Sequence, residues 1–173
     1  MQNLKIVIKE ILLLGNPLLR EKSKGIKVFD NDLENLIIDL KDTLIDFQQR
    51  KKIGRGIAAP QIGILKKVIF LNSPERSFAL VNPEIIWKSD ETIEVWDSCF
   101  SFDVAFFVKT LRFKSIKVKY QNNLGNWIEE IFNDDLSELL QHEIDHLNGI
   151  LATDHLKSNK DIILRAEWEK ISG

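Results

Sequence analysis

Gln141-His142-Glu143-Ile144-Asp145-His146 decides how the rest of this chain is read. It contains the pattern H-E-x-x-H. On a helix, His142 and His146 stand one turn apart on the same face and can share one metal ion. Glu143 is offset around the helix and can take a proton from water at that ion. The surrounding residues predict the helix. Asp135 followed by Glu138 has capping-box spacing, Leu136, Leu139, Leu140 and Leu147 form an apolar stripe, and Gly149 stands where a C-terminal cap belongs. Glu143 falls within that stripe and is expected to point inward, where a carboxylate needs a cation or donors. The plainer reading is an amphipathic helix with two surface histidines.

Working outward, the bulk properties narrow the class. A chain of 173 residues suits one domain, residues 1–173. With 44% hydrophobic and 29% charged residues, it has the composition of a globular protein with a packed core. A net charge of −2 gives no basic surface for general nucleic-acid binding. No apolar run is long enough to span a bilayer, and Met1–Lys9 is too short and too charged for a signal peptide. The lone Cys99 cannot form an internal disulfide. Together these features fit a cytoplasmic protein of bacterial type, or an organellar one without its transit peptide.

Residues 1–14 look extended or mixed, and Asn16-Pro17 marks a turn. The spacing of Leu33, Leu36, Ile37, Leu40, Leu44 and Phe47 predicts a first helix over 31–49, capped by Asn31 with Glu34. Short strands are expected at 67–71, 78–82, 84–88, 104–109 and 115–120, then a hairpin turn at 122–126 and a return strand at 127–132. A last helix is expected over 159–171. Helix, strands, helix in that order predicts an α+β fold, with a mostly antiparallel sheet packed around the central H-E-x-x-H helix.

A hydrolytic metal site takes three protein ligands and leaves one position for water. The third ligand is open among His155, Glu167, Glu169 and Cys99. His155 lies too far along the chain for the metzincin spacing. Glu167 and Glu169 leave no room for the rest of a peptidase domain. Cys99 would be a strong thiolate donor, although a lone cysteine is more often a small buried hydrophobe. A further segment, Gly54-Arg55-Gly56-Ile57-Ala58-Ala59-Pro60-Gln61, puts small residues before an amide that could stabilise an oxyanion. The plainer reading there is a tight loop entering a strand, with Gln61 exposed.

The three segments in this order resemble the peptide deformylase family. Gly54, Gly56, Ala58, Ala59 and Gln61 match the family's G-x-G-x-A-A-x-Q, and Gln141–His146 matches Q-H-E-x-D-H. Asp97-Ser98-Cys99-Phe100-Ser101 stands for E-G-C-x-S, with the acid shortened and the glycine replaced by serine. Asn16–Arg20 is similar to the family's N-terminal segment, so the resemblance covers nearly the whole chain.

The resemblance implies that Cys99, His142 and His146 bind the metal and that Glu143 is the general acid and base. It implies that Gln61 and the backbone N–H of Phe100 hold the oxyanion. Gly56 and Ser98 would pair with an extended substrate, and Leu139 would line the pocket for methionine. The reaction implied is removal of the formyl group from the N-terminal formylmethionine of new polypeptides. The metal implied is ferrous iron in the cell, with zinc, nickel or cobalt in some preparations. The partners implied are N-formylated nascent chains and, transiently, the ribosome, for a monomer with no nucleic-acid specificity and no membrane.

Two departures stand out. Ser98 would be strained if the glycine it replaces needed positive φ. The stretch 102–110 lacks the family's Pro-Glu-Gln-Arg and has no arginine before Arg112, which predicts a more apolar rim. That rim keeps open a hydrolase of another N-acyl or formamide compound. A non-catalytic, metal-stabilised peptide-binding module is a second alternative, which the retention of Glu143 and Gln61 speaks against.

Overall fold

The computed structural model describes residues 7–172. The expectation for residues 1–14 therefore lies partly outside the described residues. Pro17–Arg20 forms a single 3₁₀ turn, capped by Asn16.

The first helix, α1, spans Asn31–Lys51 and buries Leu33, Leu36, Leu40, Leu44 and Phe47. The apolar spacing read from the sequence is the stripe that packs. Its cap lies one residue earlier than expected, because the Asp30 carboxylate accepts from the backbone N–H groups of Asp32 and Leu33.

A five-stranded antiparallel sheet follows the spatial order β1 (Gly56–Ala58), β2 (Val68–Asn72), β3 (Ser77–Lys88), β6 (Ser115–Gln121), β7 (Trp127–Asn133). β2 shows how the sheet is sandwiched. Val68 and Phe70 join the core under α1, whereas Ile69 and Leu71 join the core on the opposite face. Strand alternation thus sends successive side chains into two different cores. α2 (Asp134–Leu147) fills the second of these with Leu140, Ile144 and Leu147 against Ile116, Val118 and Tyr120 of β6. A second, three-stranded antiparallel sheet runs β4 (Thr92–Asp97), β5 (Phe106–Phe113), β8 (Ile162–Leu164) and also touches α2. α2 is therefore the central helix, flanked by both sheets.

Several boundaries differ from the sequence expectation, each for a physical reason. The expected strands 78–82 and 84–88 are one strand with an irregular register at Pro83. Asn82 adopts positive φ there, and its side chain bonds both the N–H and the C=O of Ile26. Residues 159–171 are not one helix. They form a turn, then β8, then α3 (Arg165–Ser172), because Ile162–Leu164 pairs with Phe106–Val108. Asp135 with Glu138 does not cap α2; Asn133 occupies the cap position without a side-chain bond. At the other end Asn148 is the cap and Gly149 follows it at φ 73°. The expected hairpin at 122–126 is present, closed by Asn122 N–H to Asn126 C=O at 3.0 Å.

Candidate active site

The site grows from the inner face of α2. Gln141, which opens the motif, is a strut. Its amide donates to Phe113 O at 2.8 Å and accepts from Phe113 N–H at 2.9 Å, tying the helix to the end of β5. The next residues face inward: His142, Glu143 and His146 are 6%, 3% and 1% exposed. That burial removes the reading of two surface histidines. His142 Nε2 and His146 Nε2 lie 3.1 Å apart, and Cys99 Sγ lies 3.1 Å from His146 Nε2. Among the described residues, Cys99, His142 and His146 are the group placed to hold a metal ion, with donor atoms within 4.8 Å of one another.

The other candidates for third ligand are engaged elsewhere. His155 Nε2 meets Asp145 Oδ2 at 2.7 Å. Glu167 pairs with Lys170, and Glu169 faces Arg165.

The electrostatics explain why these donors suit a cation. His142 Nδ1–H donates to the buried Asp97 carboxylate at 2.9 Å, which turns Nε2 toward the cluster. Burial pulls His142 down, but the Asp97 carboxylate, with Cys99 adding to it, outweighs burial and lifts its pKa well above the ordinary value, so that a cation at Nε2 would displace a proton. Burial alone would raise Asp97, yet His142 and Arg112 hold it well below the usual carboxylate range. Burial, with the His142 charge beside it, brings His146 down to about 3 and leaves its imidazole neutral at physiological pH. Two imidazole nitrogens and one thiol sulfur thus converge in a buried place. Two of the donor separations are 3.1 Å and none exceeds 4.8 Å, so the three atoms face one shared point. Sulfur with two nitrogens is a fitting donor set for a borderline divalent ion.

Glu143 stands beside this cluster. Burial pushes its pKa up to about 7, with the Asp97 charge adding to the effect and His142 and Arg55 opposing it. Its Oε2 is buried without a hydrogen-bond partner among the described residues. The glycine segment makes room for it. A Cβ on Gly56 would stand 2.8 Å from Glu143 Oε1 and 2.8 Å from a Leu71 methyl. A side chain on Gly54 would overlap the Phe100 ring. These two glycines make way for protein side chains, Glu143 and Leu71 at Gly56 and Phe100 at Gly54, and both line the cleft.

Gln61 is buried, not exposed. Its Oε1 accepts from Ala58 N–H at 2.9 Å, which turns Nε2 toward Ser101 Oγ at 3.3 Å and Cys99 Sγ at 3.5 Å. Phe100 opens a short 3₁₀ turn, so its N–H has no partner within that turn. Ser98 carries no strain: it is not at positive φ, and its Oγ donates to Phe106 O at 3.1 Å. The three expected substrate-binding residues, Gly56, Ser98 and Leu139, line one cleft of about 380 Å³ with Gln61, Glu143 and His142.

The rim departs from the sequence reading. Arg112 lies behind the cleft wall, 3% exposed and bonded to Asp97 at 2.8 Å and Asp145 at 2.6 Å. The apolar residues Val104 and Phe107 do line the cleft, but a guanidinium returns from elsewhere, since Arg165 of α3 lines it with Trp168. Nothing local in the sequence announced either residue, because they reach the rim through the β5–β8 pairing. The Asp97–His142 bond was also missed. Its one signal was the acid two residues before Cys99.

Residues 8–161 match the family of polypeptide deformylases. The chain belongs to that family. A peptide deformylase of Thermotoga petrophila is 36% identical over 162 residues, covering 94% of this chain and 95% of the relative. One of Heliobacterium modesticaldum is 40% identical over 155 residues, covering 89% and 97%. Among solved structures, the peptide deformylase of Thermotoga maritima superposes with a TM-score of 0.81 at 35% identity, over 88% of this chain and 99% of that one. The Legionella pneumophila enzyme gives 0.80 at 30% identity, over 96% and 98%. As a deformylase, the chain is a hydrolase of the family that removes the formyl group from N-formylmethionine peptides.

Proposed function

We propose that Cys99, His142 and His146 hold one divalent ion, ferrous iron in the cell, and that Glu143, Gln61 and the Phe100 N–H carry the hydrolysis beside it. The observation behind this reading is Glu143: a buried carboxyl with its pKa raised to about 7 and one oxygen unpartnered, next to three converging donors. A structural metal site has no use for such a group.

An ion on these donors supplies a Lewis acid and brings the pKa of water toward neutrality. Glu143 takes a proton from the water that attacks the formyl carbon. The charge that develops on the formyl oxygen meets Gln61 Nε2, whose direction Ala58 fixes, and the Phe100 N–H. Glu143 then returns the proton to the amine nitrogen as the C–N bond breaks, giving formate and a free N-terminus. Leu139 packs against the methionine side chain, while the backbone at Gly56 and Ser98 pairs with the extended substrate as an added strand does. His142 is kept in its tautomer by Asp97, so that Nε2 remains a donor to the ion.

The substrate is the N-terminus of a nascent chain met transiently at the ribosome. A net charge of −2 gives no basic surface for binding RNA directly. No helix among the described residues is long and apolar enough to cross a membrane. Residues 1–173 act as one catalytic domain and a monomer in a cytoplasm of bacterial type.

The deciding experiment is formate release from formyl-Met-Ala-Ser by protein prepared anaerobically with ferrous iron. Brisk release is expected, lost by a factor of about 100 or more in Glu143→Gln while one metal per chain is retained. Equal release by Glu143→Gln would remove the role given to that residue. No release from the metal-loaded parent would remove the reaction, and the same assay on other formamides would then test the alternative substrate class.

A further inference from the structure

The outer rim of the cleft is built by residues distant from the sequence motifs. β8 pairs with β5, and Arg165 N–H extends that pairing to Ala105 O at 3.0 Å. α3 therefore starts at the cleft. The Arg165 guanidinium lies 4.4 Å over the Phe107 ring. Its Nε donates to Val104 O at 2.6 Å, and its Nη2 reaches Ser98 Oγ at 3.5 Å, one residue from Cys99. Trp168 packs on the same Phe107 ring, with centroids 4.7 Å apart. Arg165 and Trp168 are both half-buried and both line the cleft.

Arg112 and Arg165 make an instructive contrast. Arg112 is buried and has a carboxylate at each end of its fork, at 2.6 and 2.8 Å. Arg165 makes one short bond, through Nε. Its nearest acid, Glu169, is 3.6 Å away and 59% exposed, a pairing that water screens. A guanidinium has five N–H donors. Held flat by an aromatic ring and pinned by one carbonyl, this one retains donors for a planar acceptor in the cleft. Trp168 and Phe107 beside it present apolar surface.

We propose that α3 is the outer wall of the substrate cleft. Arg165 donates to main-chain carbonyl oxygens of the residues that follow the formylated methionine, and Trp168 with Phe107 packs against an apolar side chain among them. This rests on the deformylase reading of the same site. It makes peptide length and the third side chain determinants of turnover.

The test compares formyl-Met amide with formyl-Met-Ala-Phe. The parent should favour the longer substrate, and Arg165→Ala and Trp168→Ala should each reduce that preference about tenfold, through KM rather than kcat. Arg165→Lys, which keeps the charge but loses the fork, should recover only part of it. An unchanged preference would overturn the proposal. So would an equal loss on both substrates, which would mean that Arg165 only pins residues 98–104. Calorimetry of formyl-Met-Ala-Phe on metal-loaded Glu143→Gln, with and without Arg165→Ala, reads the wall without turnover. Binding weakened about tenfold by Arg165→Ala would support the wall even if the parent released no formate, in which case only the reaction would be lost. Equal binding would overturn the wall alone, and no binding by either protein would overturn both.

Discussion

Glu143 is a buried carboxyl beside two histidines. Its ordinary pKa of 4.5 is raised to about 7 by burial. The folded protein therefore holds a proton that the unfolded chain releases between roughly pH 4.5 and 7. Stability must fall as pH rises through that window, and the loss is complete above it. By linkage the loss is about 3 kcal/mol. In chelator-treated protein, Glu143→Gln should remove this component. Urea unfolding at pH 5 and pH 8 should show a steeper decline for the parent than for the variant, and equal declines would mean that Glu143 is solvated. Groups that do not face Glu143 cancel in that comparison. At this scale the sequence was informative where a residue type has few uses. H-E-x-x-H gave the two histidines and the inward glutamate, and the order of three motifs gave Cys99 and Gln61. It was silent on Arg165 and Trp168, since nothing local in a chain records what a strand pairing will bring together.

At the scale of elements, the end of α2 is as constrained as its middle. Gly149 follows the helix at φ 73°, and an added Cβ would stand 2.6 Å from the Arg20 carbonyl carbon. Both a left-handed backbone and a close crossing chain require glycine there. Gly149→Ala should destabilise the protein by about 2 kcal/mol or more, lowering Tm by about 5 °C or more in a thermal scan. A shift of less than about 1 °C would show that the crossing can open. Elements with strong periodicity, α1 and the β6–β7 hairpin, were legible because their own residues define a face. β1 was not, because Gly56-Ile57-Ala58 has weak strand propensity and is extended only through its pairing with β2. β8 was absorbed into a predicted helix because three residues are too few to show a period, and its pairing with β5 is what extends them.

Across the whole molecule, one polar chain, buried at His142, Asp97 and Arg112 and half-buried at its far end, joins the second sheet to the central helix. It runs from His142 through Asp97 and Arg112 to Asp145 and His155. Asp97 ends β4, Arg112 lies on β5, and His142 and Asp145 lie on α2. Removing one member leaves its neighbours charged and underpaired in the interior, which is far more costly than losing a surface pair. Asp97→Asn should lower unfolding stability by about 3–5 kcal/mol in urea and weaken metal retention. A loss below about 1 kcal/mol would show that water enters to replace it. The α+β class and the central helix could be read from element order. The division into two sheets could not, because the strand order β1-β2-β3-β6-β7 leaves β4 and β5 to pair with a strand near the end of the chain.

Cys99 makes the chain its own reporter. It is the one thiol in the sequence, and it lies 3% exposed between Gln61 and His146. Alkylation of the native protein can therefore occur at a single address, and its rate reads how often that address opens. Iodoacetamide should label chelator-treated protein slowly, cation-loaded protein far more slowly, and urea-unfolded protein at the rate of a free peptide. Equal rates with and without the cation would remove Cys99 from the donor set. A mass increase of one adduct per chain would count vacant sites directly, with no spectroscopic signal from the metal required.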